Sequence, residues 1–154
     1  MLYILNYWIP PLLWMAFIFP LTNDALSAQS TSHTIIPIIK PIILWLLPNA
    51  SQAFIETIHI LIRKYFHFLE YALLALLWAR AFRGKNKRWQ WKWILYAGAI
   101  SIVYGALDEF LQTMITTRTG LLSDWIINSA GVAFTIISIS LKNLTFPYFG
   151  KSSS

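Results

Sequence analysis

Apolar residues occur along this chain in long runs that are separated by short polar stretches. Four runs approach the length that a helix needs to cross a bilayer, at about 3–21, 65–82, 93–112 and 124–141. A further apolar stretch, about 35–47, is interrupted by Pro37, Lys40 and Pro41, which predicts an interfacial or re-entrant segment rather than a span. The pattern therefore predicts an all-α integral membrane bundle of about four transmembrane helices with an extra interfacial segment, forming a single domain over 1–154.

The first apolar run contains Pro10 and Pro11, which predict a kinked span of minimal length. A cleaved signal peptide is the alternative, because Ser27-Ala28 offers a small-residue cleavage site. The basic residues that normally precede the apolar part of a signal peptide are missing here. We therefore expect this run to be the first transmembrane helix.

The second predicted helix starts with Asn49 as an N-cap and Gln52 three residues later. Helical periodicity continues to about Phe82, so the helix is longer than the bilayer is thick. Its ionisable residues recur at intervals of three, four, four and three, and they are Glu56, His59, Arg63, His67 and Glu70. This spacing predicts one polar stripe along the helix, with the first turns in the headgroup region and the rest in the bilayer.

Composition supports a membrane setting. Of the 154 residues, 57% are hydrophobic and 12% are charged, and the mean hydropathy is +0.57. A soluble domain of this size keeps much of its surface in water, so it cannot bury that much apolar surface in one core. Cysteine is absent, which excludes disulfides, thiol catalysis and thiolate metal sites.

The net charge of +6 is concentrated in one short loop. Half of the twelve basic residues lie there, interleaved with tryptophans, and they are Arg80, Arg83, Lys85, Lys87, Arg88 and Lys92. Such residues could form a lipid-headgroup or RNA site, but a basic loop beside an apolar run more commonly sets membrane topology. We therefore predict a cytoplasmic loop, no nucleic-acid partner, and a multi-pass membrane protein with both termini in the cytoplasm.

With this topology, every acidic residue and every His lies towards the outer side of the membrane. The polar or small residues that occupy adjacent turns of the third helix are Gly105, Asp108, Glu109 and Gln112. Those of the fourth helix are Asp124, Asn128 and Gly131, and Arg118 lies in the loop between the two helices. Because charges at this depth are costly unless they are paired or used, we predict an outward-facing polar site to which the second helix adds Arg63, Lys64, His67 and Glu70.

Three chemistries are open to such a set of residues. A His with carboxylates can act as general acid and base on a phosphoester or an amide. Carboxylates with an imidazole can hold a divalent metal ion, although no strong metal motif is present. Arg and Lys side chains can bind a phosphate or carboxylate of a lipid headgroup or peptide. A structural role is the alternative, in which Arg118 pairs with Asp124, and His67 or Arg63 pairs with Glu109.

The polar residues also follow an ordered spacing through the chain. It runs Arg63-Lys64-x-x-His67-Phe68-x-Glu70-Tyr71-x-x-Leu74, then Gly105-x-x-Asp108-Glu109-x-x-Gln112, then Arg118, then Asp124-x-x-x-Asn128-x-x-Gly131. Over residues 60–135 this arrangement resembles the VanZ-like family of bacterial membrane proteins. The chain departs from the family at Arg63, where an acidic residue is frequent, and at Thr116-Thr117, where Pro-Gly is frequent, so we expect loop shape and local charge to differ.

The resemblance implies a cell-envelope setting in the bacterial cytoplasmic (inner) membrane. Founding members of the family are associated with low-level resistance to teicoplanin, a glycopeptide that binds cell-wall precursors outside the membrane. The implied partners are membrane lipids and a lipid-linked cell-wall precursor or other peptidoglycan-related component, which the site binds with or without modifying it. The resemblance implies a setting more than a reaction, and it leaves open whether the protein is an enzyme.

These inferences define the candidate residues. The candidate catalytic residues are His67, Glu70, Asp108, Glu109 and Asp124. The candidate substrate-binding residues are Arg63, Lys64, Tyr71, Gln112, Arg118 and Asn128. A non-enzymatic accessory protein is one alternative function, and a small transporter or channel subunit is another. The transporter is disfavoured, because the inner halves of the second and third spans, 73–79 and 94–101, are uncharged.

Overall fold

The computed structural model describes the backbone of residues 2–20, 28–86, 89–114 and 122–145, and the side chains of 2–19, 35–86, 89–114 and 122–142. Over these residues the chain is helical and contains no strand, which confirms the all-α prediction. The helices are α1 (Leu2–Tyr7), α2 (Ile9–Pro20), α3 (Ala28–Leu46), α4 (Gln52–Arg83), α5 (Trp91–Thr113) and α6 (Leu122–Thr145).

The N-terminal segment consists of two helices that meet at Trp8. Pro10 and Pro11 lie in the first turn of α2, where a backbone N–H has no partner within the helix, so the missing donor costs little. Two contacts show that the helix α2 runs antiparallel to α4. Trp8 packs edge-on against Phe82, and the Trp14 indole donates a hydrogen bond to the Glu70 carbonyl at 3.0 Å.

The apolar stretch 35–47 forms the second half of the longer helix α3 up to its last residue, Leu46. Pro37 and Pro41 lie inside this helix without ending it. They are four positions apart, so both missing N–H groups lie on the same face and the hydrogen bonds of the opposite face continue.

The long helix α4 begins two residues later than the Asn49 cap predicts. Ser51 is the N-cap, and its hydroxyl accepts a hydrogen bond from the Phe54 N–H at 3.2 Å. The Asn49 prediction is wrong, since 47–50 form a turn instead. At the other end Gly84 adopts a φ of 55° and donates its N–H to the Arg80 carbonyl at 3.0 Å, which closes the helix.

Three helices, α4, α5 and α6, form the core of the protein. Contacts of Tyr71 with Asp108 and of Phe82 with Tyr96 show that α5 runs antiparallel to α4. The contacts of Arg63 with Asp124 and of Ala72 with Thr135 show that α6 runs parallel to α4. The two helices lie close together at Gly131, where a Cβ atom would collide with the Phe68 carbonyl oxygen. This close crossing sets which residues of α4 and α6 face each other.

Among the described residues, two helices are long and apolar enough to cross a membrane, Trp91–Thr113 and Leu122–Lys142. Two other apolar helices, Ile9–Phe19 and Ile35–Leu46, are shorter. The predicted span at 65–82 belongs to α4, whose polar residues reduce its apolarity. The arrangement of about four spans therefore stays a prediction.

Candidate functional site

The core helices bring most of the predicted site residues to one end of the bundle. This group, called the polar cluster below, consists of Arg63, Lys64, His67, Glu70, Tyr71, Asp108, Glu109, Gln112, Asp124 and Asn128. It lies halfway along α4, near the end of α5 and at the start of α6. Most of its side chains are buried. Arg118 lies outside the described residues, so its predicted position is untested.

An ion pair joins α4 to α6 within the polar cluster. The Arg63 Nη2 atom lies 2.9 Å from Asp124 Oδ2, and Lys64 Nζ lies 3.9 Å from Asp124 Oδ1. The Ser123 hydroxyl donates a hydrogen bond to Asp124 at 3.3 Å. Asp124 is buried and lies in the first turn of α6, where the helix dipole also favours a negative charge. Its carboxylate is therefore already held by groups on two helices.

A second link joins α4 to α5. The Tyr71 hydroxyl donates a hydrogen bond to Asp108 Oδ2 at 3.2 Å, and the Gln112 amide donates to the same oxygen at 3.1 Å. Gly105 makes room for the Tyr71 ring, since a Cβ atom there would lie 3.0 Å from the ring edge. Tyr71 is fully buried. Its hydroxyl thus orients Asp108, and the contact of Tyr71 with a substrate stays a prediction.

His67 and Glu70 face each other on successive turns of α4. Their closest polar atoms, His67 Nδ1 and Glu70 Oε2, are 3.8 Å apart, which is longer than a hydrogen bond. The Glu70 carbonyl accepts the hydrogen bond from Trp14, so α2 packs against the same turn. On α5, Glu109 is buried next to Asp108. The cluster therefore places an imidazole and several carboxylates together, as general acid and base chemistry requires.

Asn128 differs from the rest of the polar cluster. Its side chain is 1% exposed, and neither its amide nitrogen nor its amide oxygen has a hydrogen-bond partner among the described residues. It lies one turn after Asp124 and one turn before Gly131, on the part of α6 that packs against α4. Buried primary amides are almost always hydrogen-bonded, so Asn128 offers both a donor and an acceptor to a group that enters the cluster.

His59 is a residue that the sequence placed in the polar stripe but not in the site. It is buried two turns before His67, and its Nε2 atom has no hydrogen-bond partner among the described residues. Burial lowers the pKa of His59, and the nearby positive charge of Arg63 lowers it further. The imidazole is therefore held neutral, one turn from the Arg63–Asp124 pair. Its position in the stripe was the signal that pointed to it.

A metal site was one of the predicted uses of these side chains. Within the described part of the chain, no group of three or more His, Cys, Asp or Glu residues is arranged to hold a metal ion.

Comparison with known proteins gives a family match. The family described as VanZ/LLP1 matches residues 7–143, which is nearly the whole chain and includes the entire polar cluster. No curated protein and no solved structure matches the chain.

Proposed function

The chain belongs to the VanZ/LLP1 family, and on that premise we propose that it is a multi-pass protein of the bacterial cytoplasmic membrane whose polar cluster faces outward. There the cluster binds a lipid-linked or peptidoglycan-related component of the cell envelope, with or without modifying it. Tolerance of glycopeptides such as teicoplanin would follow from this binding, because these antibiotics act on precursors outside the membrane.

The distribution of apolar surface supports a lipid environment. In the helices Trp91–Thr113 and Leu122–Lys142, only 39% and 33% of the apolar window is buried in the protein. The core helix of a soluble protein is mostly buried, whereas large apolar side chains such as Leu95, Val103 and Phe134 are exposed here. Lipid chains would cover this surface.

The ends of the bundle differ in charge, which supports the orientation. The basic residues Arg80, Arg83 and Lys92 lie at one end, and the polar cluster lies towards the other. Asp108 is about 8 Å along the helix axis from the end of α5, from five residues at the helical rise. With the basic loop in the cytoplasm, the cluster lies just below the outer surface, within reach of envelope components.

The buried amide of Asn128 is the observation that carries the binding function. The ion pair and the Tyr71–Asp108 link are formed by other side chains, whereas both polar atoms of the Asn128 amide lack a hydrogen-bond partner among the described residues. A sugar or peptide group can donate to and accept from such an amide, and Lys64, which is partly exposed beside Asp124, can contact a phosphate. Lipid-linked cell-wall precursors contain all three kinds of group.

The decisive variant is Asn128→Leu, in nanodiscs that contain a lipid-linked cell-wall precursor. Removal of an unsatisfied buried amide is expected to leave the thermal midpoint unchanged or higher, while precursor binding is lost. Ser140→Ala is the matched control, because Ser140 is also buried without a partner on α6 but lies far from the cluster. Ser140→Ala should keep both the wild-type thermal midpoint and wild-type precursor binding. Wild-type binding by Asn128→Leu would refute the proposed site.

Modification of the bound component needs a separate measurement. Mass spectrometry of lipids and cell-wall precursors is compared between cells with the wild-type protein, cells with Glu109→Gln and cells without the protein. A species that changes only with the wild-type protein would identify an enzyme. Unchanged pools together with altered glycopeptide sensitivity would identify a binding protein.

The polar links themselves favour a second candidate, a non-enzymatic accessory protein. Arg63–Asp124 joins α4 to α6, and Tyr71–Asp108 joins α4 to α5, so both stabilise the three-helix core. If the protein is such an accessory protein, Asn128→Leu has no effect on precursor binding or on glycopeptide sensitivity. This result distinguishes the accessory protein from the precursor-binding protein.

A further inference from the structure

A pocket lies at the end of the bundle opposite the polar cluster. It has a volume of about 270 Å³ and is lined by Tyr7, Leu76, Arg80, Arg83, Gly84 and Trp89. The pocket is formed where α1 packs beside the end of α4 and where the loop to α5 begins. None of its residues belongs to the polar cluster, so the pocket is a separate site.

Aromatic rings hold both arginines of this pocket. The Arg83 guanidinium lies 4.5 Å from the centre of the Trp89 ring, and the Arg80 guanidinium lies 5.3 Å from the centre of the Tyr7 ring. A guanidinium that stacks on a ring keeps its N–H groups in its own plane, where they can bind an anion. The rings therefore fix the two charges in place without using their hydrogen-bond donors.

The positive charge of the pocket is not balanced by carboxylates. Neither Arg80 nor Arg83 makes an ion pair with an acidic residue among the described residues. The sequence has no Asp or Glu between 71 and 107, or between 1 and 23, so the segments that form the pocket carry none. A ligand with negative charge would balance the two arginines of this pocket.

The pocket also has a wall formed by α1, so it is a cavity and not only a group of basic side chains on the surface. Gly84 has a φ of 55°, and a Cβ atom there would collide with the Tyr3 hydroxyl, so α1 packs directly on this turn and keeps Tyr7 over Arg80. The dipole at the C-terminus of α4 accounts for basic residues in its last turn. It does not account for the aromatic walls or the cavity.

We propose that Arg80 and Arg83 bind a phosphate group in this pocket, and that the phosphate is the headgroup of an anionic phospholipid. Leu76 supports a lipid, because it lines the pocket while 45% of its side chain is exposed on the apolar flank of α4. An acyl chain can follow that flank while its phosphate lies between the guanidiniums. Free phosphate would use the same two arginines and has no use for the apolar flank.

The test uses the purified full-length protein in detergent, with phosphatidylglycerol, phosphatidylcholine and inorganic phosphate as probes and native mass spectrometry as the readout. Phosphatidylglycerol should bind the wild-type protein, and Arg83→Gln should lose about tenfold or more in affinity. Lys92→Gln is the matched control, because it removes the same charge at the same end of the bundle but does not line the pocket. It should bind like the wild-type protein.

Arg83→Lys keeps the charge, and it should bind phosphatidylglycerol more weakly than the wild-type protein because an ammonium cannot form paired hydrogen bonds with phosphate. Circular dichroism verifies that each variant keeps its helix content, and Arg80→Gln serves in place of Arg83→Gln if that variant unfolds. Equal losses in Lys92→Gln and Arg83→Gln would overturn the pocket, and equal binding of phosphatidylcholine would overturn its preference for an anionic phospholipid. If inorganic phosphate binds and displaces phosphatidylglycerol, free phosphate is the ligand. This outcome would overturn the proposal that the phosphate belongs to a lipid headgroup.

Discussion

The Arg63 guanidinium lies 2.9 Å from the Asp124 carboxylate, although the two residues are 61 positions apart in the chain. Their contact depends on the close crossing of α4 and α6, which places the middle of one helix against the start of the other. Both side chains are largely buried, so each would be left without its main charged partner if the other were removed.

Asp124→Asn is therefore expected to destabilise the protein by about 3 kcal/mol, the lower end for a broken buried ion pair because Arg63 keeps some exposure. Thermal unfolding in detergent, followed by circular dichroism, measures the effect. Glu56→Gln is the control, since Glu56 is an exposed carboxylate on α4 and should change stability by less than about 0.5 kcal/mol. Equal stability of the two variants would show that the pair contributes nothing.

Tyr71→Phe tests whether the phenol hydroxyl positions Asp108. The variant removes one hydrogen bond to the Asp108 carboxylate and is expected to cost about 1.5 kcal/mol, while precursor binding falls because Asp108 loses the hydroxyl that orients it. Tyr104→Phe is the matched control, since its hydroxyl donates to the Met15 carbonyl, outside the cluster. It should lose stability but keep binding. A binding loss of the same size in both variants would remove the special role of Tyr71.

Gly131→Ala tests the close crossing of α4 and α6. The added methyl would collide with the backbone carbonyl of Phe68, which cannot move aside, so the expected cost is about 3 kcal/mol. Gly98→Ala is the comparison, because its methyl would meet only the end of the flexible Ile136 side chain and should cost under about 1 kcal/mol. Chemical denaturation of both purified variants gives the difference. Similar costs would mean that backbone contact does not set the crossing.

Helical periodicity predicted which side chains share a face, because that periodicity is a property of the local backbone. The spacing of Asp108 and Gln112 placed them on adjacent turns, and the structure joins them by a hydrogen bond. The spacing of His67 and Glu70 likewise placed them together. The family resemblance, based on the same residues, is confirmed over 7–143.

Partners on different helices were harder to predict, because they depend on how the helices cross. The structure pairs Asp124 with Arg63, a contact that the sequence did not name, whereas the predicted partner Arg118 lies outside the described residues. The N-cap of α4 was misplaced for a simpler reason. Asn49 and Ser51 both have side chains that cap helices, and the turn at 47–50 decides in favour of Ser51.

His59 gives a prediction for the pH dependence of stability. Because burial lowers its pKa below 6.5 in the folded protein, the unfolded chain takes up a proton more readily than the folded one as the pH falls. The stability that depends on neutral His59 is thus complete above about pH 7 and is lost as the pH falls through 6.5 towards the folded pKa. Thermal midpoints measured from about pH 8 to about pH 5 should fall more steeply for the wild-type protein than for His59→Gln, which cannot titrate in this range. Identical slopes would mean that His59 carries the same pKa in both states, and hence that its imidazole is hydrated rather than buried against Arg63.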